Sequence, residues 1–230
     1  MIIGYSGMPG SGKTTRLART ARKCLVEARR DFNKHGVARK IYLNIRLSPL
    51  IEEEFAGYYQ YFDDLDSIHQ LRDAYLLIDE ASIYFNSREW ELIPMSTRRF
   101  LVMHRHCNVD IWFTTQDFLT VDNSFRRLTD TLYYFSKIIS SREPSKLRPI
   151  VKRAYSFVHC KIVPKEHYDI EKTNYGSNGH EWYFFKNKDF KLFDTHQDFS
   201  TVEQSTEGYK DLKRIIRVCK EDGKKQVKYI

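Results

Sequence analysis

A glycine-rich run near the start of the chain carries the pattern most specific for chemistry. Residues 7–14 match G-x-x-x-x-G-K-[ST], the phosphate-binding loop, at every fixed position. In such a loop the backbone N–H groups surround a phosphate, and the following helix directs its positive end at the same charge. Lys13 is predicted to reach the β- and γ-phosphates of ATP, and Thr14 to place its hydroxyl on Mg²⁺. The predicted nucleotide-binding residues are Gly7, Met8, Pro9, Gly10, Ser11, Gly12, Lys13, Thr14 and Thr15.

Two acidic residues, Asp79 and Glu80, follow directly after the apolar run 74–78. A carboxylate at the end of a buried strand is placed to hold a magnesium-bound water, which is the role predicted for Asp79. Glu80 is predicted to be the catalytic base that polarises the water attacking the γ-phosphate. Taken alone, the pair also fits two solvated acids at a strand end. The phosphate loop upstream favours the catalytic interpretation.

Gln116 follows a second apolar run, 109–115. In a P-loop sheet this strand is expected beside the phosphate loop. The Gln116 amide is therefore predicted to sense the γ-phosphate and to orient the attacking water. An ordinary polar residue at a strand end is the alternative.

Arginines supply candidates for a second catalytic cation. ATPases that work as rings neutralise the transition state with a cation from the neighbouring subunit. Arg98 and Arg105 share one face of a predicted helix. A solvated basic face is the alternative for each candidate. The candidates are Arg98, Arg99, Arg105, Arg126 and Arg127.

The elements that must position these residues alternate between strands and helices, which predicts an α/β fold with a mostly parallel sheet flanked by helices on both faces. Apolar runs predict strands at 2–6, 40–45, 74–78, 109–115 and 131–138. Helices are predicted at 13–35, 63–72, 94–107 and within 121–130. The core is predicted to span 1–138, and a β-containing C-terminal extension 139–230. Within the extension we expect an exposed basic loop at 140–148, antiparallel strands at 151–163 and 182–185, and a solvated helix or loose tail from about residue 209.

The 230 residues carry a formal net charge of +8, which favours an anionic partner. Basic side chains between residues 137 and 153 are predicted to contact DNA phosphates without sequence preference. An aromatic run at 182–185 could stack on bases, but a packed strand explains it more simply. The basic residues are Lys137, Arg142, Lys146, Arg148, Lys152 and Arg153.

Composition disfavours several other classes of protein. The four cysteines lie far apart, without the spacing of a zinc site. The N-terminus lacks the basic and apolar regions of a signal peptide, and no stretch reaches the ~18 apolar residues of a membrane span. We expect a protein of the host-cell cytoplasm without a transmembrane segment of its own, reaching a membrane only through a partner.

These motifs together resemble the zonula occludens toxin-like (Zot) family, which contains the assembly ATPases of filamentous phages. That family is grouped with DNA pumps such as FtsK, HerA and viral genome-packaging ATPases. The resemblance is carried by 7–14, 76–80 and 104–111, and more weakly by 190–195. It implies a RecA-like P-loop NTPase core, ATP-driven work on phage DNA and a homo-oligomeric ring. Phage assembly members usually continue into a membrane span and an extracytoplasmic tail, which this sequence does not show.

The favoured function is an ATP-hydrolysing motor for phage or viral assembly, acting on DNA and on assembly proteins. One alternative is a scaffold that binds coat or assembly proteins and is switched by nucleotide. A small-molecule or nucleotide kinase is a further alternative, disfavoured because an acidic pair at a strand end is typical of hydrolytic P-loop proteins and because no arginine-rich lid is evident.

Overall fold

A computed structural model describes residues 1–64, 67–140, 155–164, 179–186, 189–193, 216–221 and 224–229. The helices are α1 (Lys13–His35), α2 (Pro49–Glu54), α3 (Met95–Met103) and α4 (Asn123–Leu128). The first strands are β1 (Ile2–Gly7), β2 (Lys40–Leu43), β3 (Tyr59–Tyr61), β4 (Ala74–Ile78) and β5 (Val109–Thr115). They are followed by β6 (Thr131–Ser140), β7 (Tyr155–Pro164), β8 (Gly179–Lys186), β9 (Ile216–Glu221) and β10 (Lys224–Tyr229).

Eight strands form one sheet in the order β3-β2-β4-β5-β1-β6-β7-β8. All pairs from β3 through β6 are parallel. β7 and β8 are antiparallel additions at the β6 edge. β6 runs through the predicted boundary at residue 138, so the first strands of the extension continue the sheet of the core. β9 and β10 form a separate antiparallel hairpin.

Helices cover both faces of the sheet. The apolar stripe of α1, which includes Leu17 and Leu25, packs on one face with Leu77 of β4. On the other face Phe100 of α3 and Phe125 of α4 pack in one cluster with β1, β4 and β5. The central strand β4 is buried at all five positions, as expected of a parallel strand covered on both sides. The predicted α/β fold with a mostly parallel sheet is confirmed.

Some predicted elements were wrong. A helix was predicted at 63–72, but among the described residues of that range only the short 3₁₀ turn Ile68–Gln70 forms, because Leu71 is already extended and buried. α3 ends at Met103 rather than near residue 107. His104 folds back there, its Nδ1 lying 2.7 Å from Leu101 O, and the chain turns into β5. Sequence reasoning also missed α2, for which Pro49 occupies a first-turn position, and the short strand β3.

The chain end was also wrongly predicted. Residues 216–221 and 224–229 are strands rather than a helix or loose tail. Apolar side chains there alternate with charged ones, as in Ile216-Arg217-Val218, and a period of two is typical of strands. The heavy charge of this region concealed that period.

Candidate active site at the carboxyl edge of the sheet

The phosphate loop connects β1 to α1 and depends on two glycines. A Cβ on Gly7 would lie 2.5 Å from the backbone oxygen of Phe135, so only glycine fits where β1 passes β6. Gly12 has φ of 90°, a left-handed conformation that side chains other than glycine rarely adopt. These two positions allow the loop to turn sharply from strand to helix.

Lys13 is buried at the first position of α1. Its Nζ donates to Gly7 O at 2.7 Å and to Met8 O at 2.9 Å, so the ammonium lies inside the curve of the loop. Burial lowers its pKa, against the opposing attraction of Glu80 and Asp79. The hydroxyl of Ser11 is also buried and has no hydrogen-bond partner among the described residues. A buried cation beside an unsatisfied donor fits a phosphate group.

Asp79 follows β4 and faces Thr14 at the start of α1. The Thr14 hydroxyl donates to both carboxylate oxygens, at 3.1 and 3.2 Å. Thr114, on β5, donates to Oδ1 at 2.6 Å. Burial raises the pKa of Asp79, while the bonds from Thr114 and Thr14 act in the opposite direction. The predicted metal ligands Thr14 and Asp79 are therefore in direct contact, and both offer the hard oxygen atoms that Mg²⁺ prefers.

Asn44, just after β2, holds the backbone of Asp79. Its Oδ1 accepts from the Asp79 N–H at 2.6 Å, and its Nδ2 donates to the Asp79 carbonyl at 2.9 Å. Sequence reasoning missed Asn44. Asn44 lies within the second predicted strand, 40–45, so a polar residue near the carboxyl end of that strand was the available signal, because carboxyl ends of parallel strands meet at one edge.

Glu80 has a left-handed backbone with φ of 52°. Its backbone N–H donates to the Thr114 hydroxyl at 2.9 Å. Its Oε1 accepts from the Ser82 hydroxyl at 2.7 Å and from the Gln116 backbone N–H at 3.2 Å. These two hydrogen bonds fix the orientation of the Glu80 carboxylate. Gln116 contacts Glu80 through its backbone N–H, and the predicted sensing of the γ-phosphate by its side-chain amide stays a prediction.

Arg88 lines the same surface cavity as Glu80 and Gln116. The cavity has a volume of about 620 Å³ and is also lined by Ser82 and Ser87. Arg88 is exposed, and its backbone N–H donates to Asn86 Oδ1 at 3.0 Å. This arginine was not among the predicted candidates, because nothing in its local sequence marks it.

In the part of the chain that the structure describes, none of the five predicted arginines is seen to contact the phosphate loop of its own chain. Arg98 is bound within its own segment, with Nε donating to Ile93 O at 3.1 Å and the guanidinium over the Trp90 ring. Arg105 forms an ion pair with Asp130 at 2.5 Å. Asp130 also accepts a hydrogen bond from the Ile2 N–H at the start of β1, so this pair lies at the opposite edge of the sheet. Arg99 is an exposed residue of α3. Arg126 and Arg127 lie at the end of α4 that leads into the start of β6, also at that opposite edge. Their predicted action on a neighbouring subunit stays a prediction.

The predicted DNA-contacting residues are only partly described. Lys137 is a residue of β6, whereas Arg142, Lys146, Arg148, Lys152 and Arg153 lie outside the described residues. In β8, Tyr183 and Phe185 are buried in the core, while Trp182 is 55% exposed. The aromatic run therefore divides between a packed face and an exposed face.

Residues 1–143 match the sequence profile of one protein family, described as zonular occludens toxin (Zot). The chain belongs to the Zot family. The matched range contains the phosphate loop, the acidic pair and Gln116, so the predicted resemblance is confirmed. No curated protein matches this Zot-family chain. Among the described residues, no helix is long and apolar enough to cross a membrane.

Many solved structures are similar to this Zot-family chain, and three of them illustrate the range at low identity. The N-terminal domain of zonular occludens toxin from Neisseria meningitidis is 17% identical, with a TM-score of 0.49 over 84% of this chain and 98% of that one. The genome packaging NTPase B204 from Sulfolobus turreted icosahedral virus 2, in complex with ATP-gammaS, is 16% identical, with a TM-score of 0.45 over 72% and 92%. The KaiC-like protein PH0186 from Pyrococcus horikoshii is 13% identical, with a TM-score of 0.40 over 80% and 84%. Each of these likenesses is distant.

Proposed function

We propose that this protein is an ATP-hydrolysing motor of phage or viral assembly that drives DNA translocation, packaging or extrusion. The observation that carries the proposal is the contact of Asp79 with Thr14, beside a Glu80 carboxylate held by Ser82 and the backbone of Gln116. A phosphate loop, a metal-ligand pair and an oriented base at one edge are the parts that nucleotide hydrolysis needs. Membership of the Zot family supports the viral setting.

Each residue has a distinct role in this proposal. Lys13 and the loop N–H groups bind the β- and γ-phosphates, and Thr14 and Asp79 hold Mg²⁺. When bound, Mg²⁺ would neutralise part of the negative charge of the phosphates. Glu80 accepts the proton of the attacking water, and Ser82 keeps its carboxylate aimed at that water. The Gln116 side chain orients the same water, while its backbone N–H positions Glu80.

The partners follow from charge and family. A net charge of +8 supports sequence-independent binding of DNA through its phosphates. We infer a homo-oligomeric ring in the host-cell cytoplasm, working with phage or viral assembly proteins.

A nucleotide-switched scaffold is the second candidate function. Large apolar side chains are exposed on and just before α3, which is unusual for a surface without a protein partner. They are Trp90, Leu92, Met95, Val102 and Met103. This observation favours docking of a coat or assembly protein.

The deciding experiment measures ATP turnover of the wild type and Glu80→Gln with no DNA, with single-stranded DNA and with duplex DNA, at low and moderate salt. A motor should turn over ATP faster when DNA is present. Glu80→Gln should bind ATP normally yet hydrolyse it slower by ~10² or more, because only water activation is lost. Wild-type turnover that ignores DNA in every condition would reject the motor in favour of the scaffold. Full activity of Glu80→Gln would remove Glu80 from its role.

A further inference from the structure

The strands at the β6 edge of the sheet have two different faces. Val158, Cys160, Tyr183 and Phe185 point into the core that α1 covers. The alternate positions of β7 and β8 point to the opposite side. We call that side the β7–β8 outer face, and it carries His159, Lys161, His180 and Trp182.

A chain of hydrogen bonds crosses this outer face. Ser136 Oγ lies 2.8 Å from His159 Nδ1, and His159 Nε2 lies 3.0 Å from His180 Nδ1. The two imidazole rings have centroids 5.0 Å apart and planes 16° apart, so they are nearly parallel. Imidazole N–H groups can donate hydrogen bonds to phosphate oxygens.

Trp182 presents an exposed aromatic surface next to that pair. The indole is 55% exposed, and the His159 ring packs against it with centroids 4.8 Å apart and planes tilted by 51°. Such contact orients the indole while leaving much of its surface accessible. A large, oriented and exposed aromatic ring is a platform on which a flat ligand can stack.

The charge around the platform has one sign. Lys161 is the register partner of His180, and His159 is the register partner of Trp182. The carboxylate of this region, Glu181, is the partner of Cys160 on the other side of the sheet. Among the described residues of β6, β7 and β8, the outer face therefore carries the Lys161 ammonium and two imidazoles, and no carboxylate. This complements a polyanion.

We propose that the β7–β8 outer face binds single-stranded DNA, with a base stacked on Trp182 and the adjacent phosphates contacted by Lys161 and the His159–His180 pair. A duplex keeps its bases stacked inside, whereas an unpaired strand offers them to an aromatic ring. The inference rests on the proposed function for the choice of DNA as the polymer. It adds where the strand lies and which form is preferred.

The first test compares two exposed tryptophans in binding to a fluorescent oligo-dT. Trp182→Leu should weaken binding about tenfold or more, because stacking on one base is lost. Trp90→Leu, a matched exposed tryptophan packed under Arg98, should bind as the wild type does. In a protein whose Trp90 and Trp112 are replaced by Phe, oligo-dT should quench the fluorescence of Trp182, the third of three tryptophans. Quenching reports stacking directly, so it also covers a Trp182→Leu variant that fails to fold.

Charge variants give a second signature. Lys161→Gln should reduce the slope of log affinity against log salt by about 0.7, the value for one phosphate contact on a single strand. His180→Gln should weaken oligo-dT binding at fixed pH, because a hydrogen bond to a phosphate is lost. His106→Gln, which replaces an exposed histidine at the opposite edge of the sheet, should leave the affinity unchanged.

The outcomes separate this inference from the proposed motor. Oligo-dT binding that stimulates ATP turnover but neither quenches Trp182 nor responds to Trp182→Leu would overturn the surface and leave the motor intact. Equal or tighter binding of duplex DNA at the outer face would overturn the single-strand preference. No binding of any DNA would reject both, and recruitment of an assembly protein or a second copy to Trp182 would assign the face to protein contact.

Discussion

Asn44 and Asp79 are joined by two hydrogen bonds that involve the Asn44 amide and the backbone of Asp79, at 2.6 and 2.9 Å. Because the amide of Asn44 both accepts and donates, it fixes the peptide that leads from β4 into the acidic pair. The direction of the Asp79 carboxylate toward Thr14 thus depends on the neighbouring strand β2.

Replacement of Asn44 should test this dependence. We expect Asn44→Ala to lower the free energy of unfolding by about 2–3 kcal/mol, because it loses two hydrogen bonds to Asp79 and a third from Nδ2 to the Tyr84 hydroxyl. It should lower kcat for ATP more than it raises the KM, because Asp79 and Glu80 lose their alignment while the phosphate loop is intact. Denaturant unfolding and steady-state kinetics measure both quantities. Asn33→Ala, on the exposed surface of α1, is the control. Equal kinetics for the two variants would contradict a positioning role for Asn44.

The buried carboxylate of Asp79 should make the protein less stable at neutral pH. Burial raises its pKa, so the folded protein binds this proton more tightly than the unfolded chain does. The free energy of unfolding therefore falls as the pH rises from the ordinary value of 3.8 through the raised one. Asp79→Asn should melt at a higher temperature than the wild type at pH ~7, with the difference shrinking toward pH ~4.

Asp110 offers a control of opposite sign. Burial acts to raise its pKa, but hydrogen bonds from the Met1 ammonium and from Arg39 outweigh burial and lower it. Asp110→Asn should therefore melt at a lower temperature than the wild type at neutral pH. Thermal melts of both variants, across the same pH series without nucleotide, measure whether the two melting-temperature shifts have opposite signs. Two shifts of the same sign would contradict the assignment.

Ser82 is expected to act through Glu80. Loss of its 2.7 Å hydrogen bond in Ser82→Ala leaves the Gln116 N–H as the main restraint on Oε1. We expect kcat to fall about three- to tenfold with KM almost unchanged, the range for one positioning hydrogen bond. Ser87→Ala removes a hydroxyl from the same cavity and should change neither parameter. In the Glu80→Gln background Ser82→Ala should have no further effect on kcat. An additive loss would show that Ser82 affects catalysis independently of Glu80.

Arg88 should supply a cation close to the reacting phosphate. It lines the cavity that holds Glu80 and Gln116, whereas Arg105 pairs with Asp130 at the far edge. We expect Arg88→Ala to lower kcat by about 10² to 10³ without loss of ATP binding, as removal of a transition-state cation does. Arg105→Ala should instead lower the rate of hydrolysis only if Arg105 acts on the site of a neighbouring subunit.

Mixing distinguishes action within one subunit from action between two. A dead Arg88→Ala protein mixed with dead Glu80→Gln should stay inactive if both residues serve the same site in one chain. The corresponding mixture with Arg98→Ala, Arg99→Ala, Arg105→Ala, Arg126→Ala or Arg127→Ala should recover activity for whichever arginine acts on a neighbour. Turnover per subunit should then rise with protein concentration. Flat turnover on dilution, with no mixture recovering, would describe a self-contained ATPase.

The sequence by itself determined the chemistry that lies in contiguous runs. The phosphate loop at 7–14, the acidic pair after β4 and the long helix α1 are local patterns, because the glycine conformations, the apolar run and the helical period are all set by neighbouring residues. The parallel α/β class followed from their alternation. The prediction was wrong where the periodic pattern of apolar residues was too short, as at 63–72. It was also wrong where charged residues obscured that pattern, as at 216–229.

Only the tertiary structure decided which distant residues complete the site. Asn44 and Thr114 reach the acidic pair because β2 and β5 flank β4, and strand order depends on how helices pack on both faces. The same packing moves Arg105 to the far edge, continues the sheet through β7 and β8, and turns Trp182 outward while Tyr183 is buried. The local sequence pattern does not show which distant residues become neighbours, because the burial of apolar surface across the whole domain determines their positions.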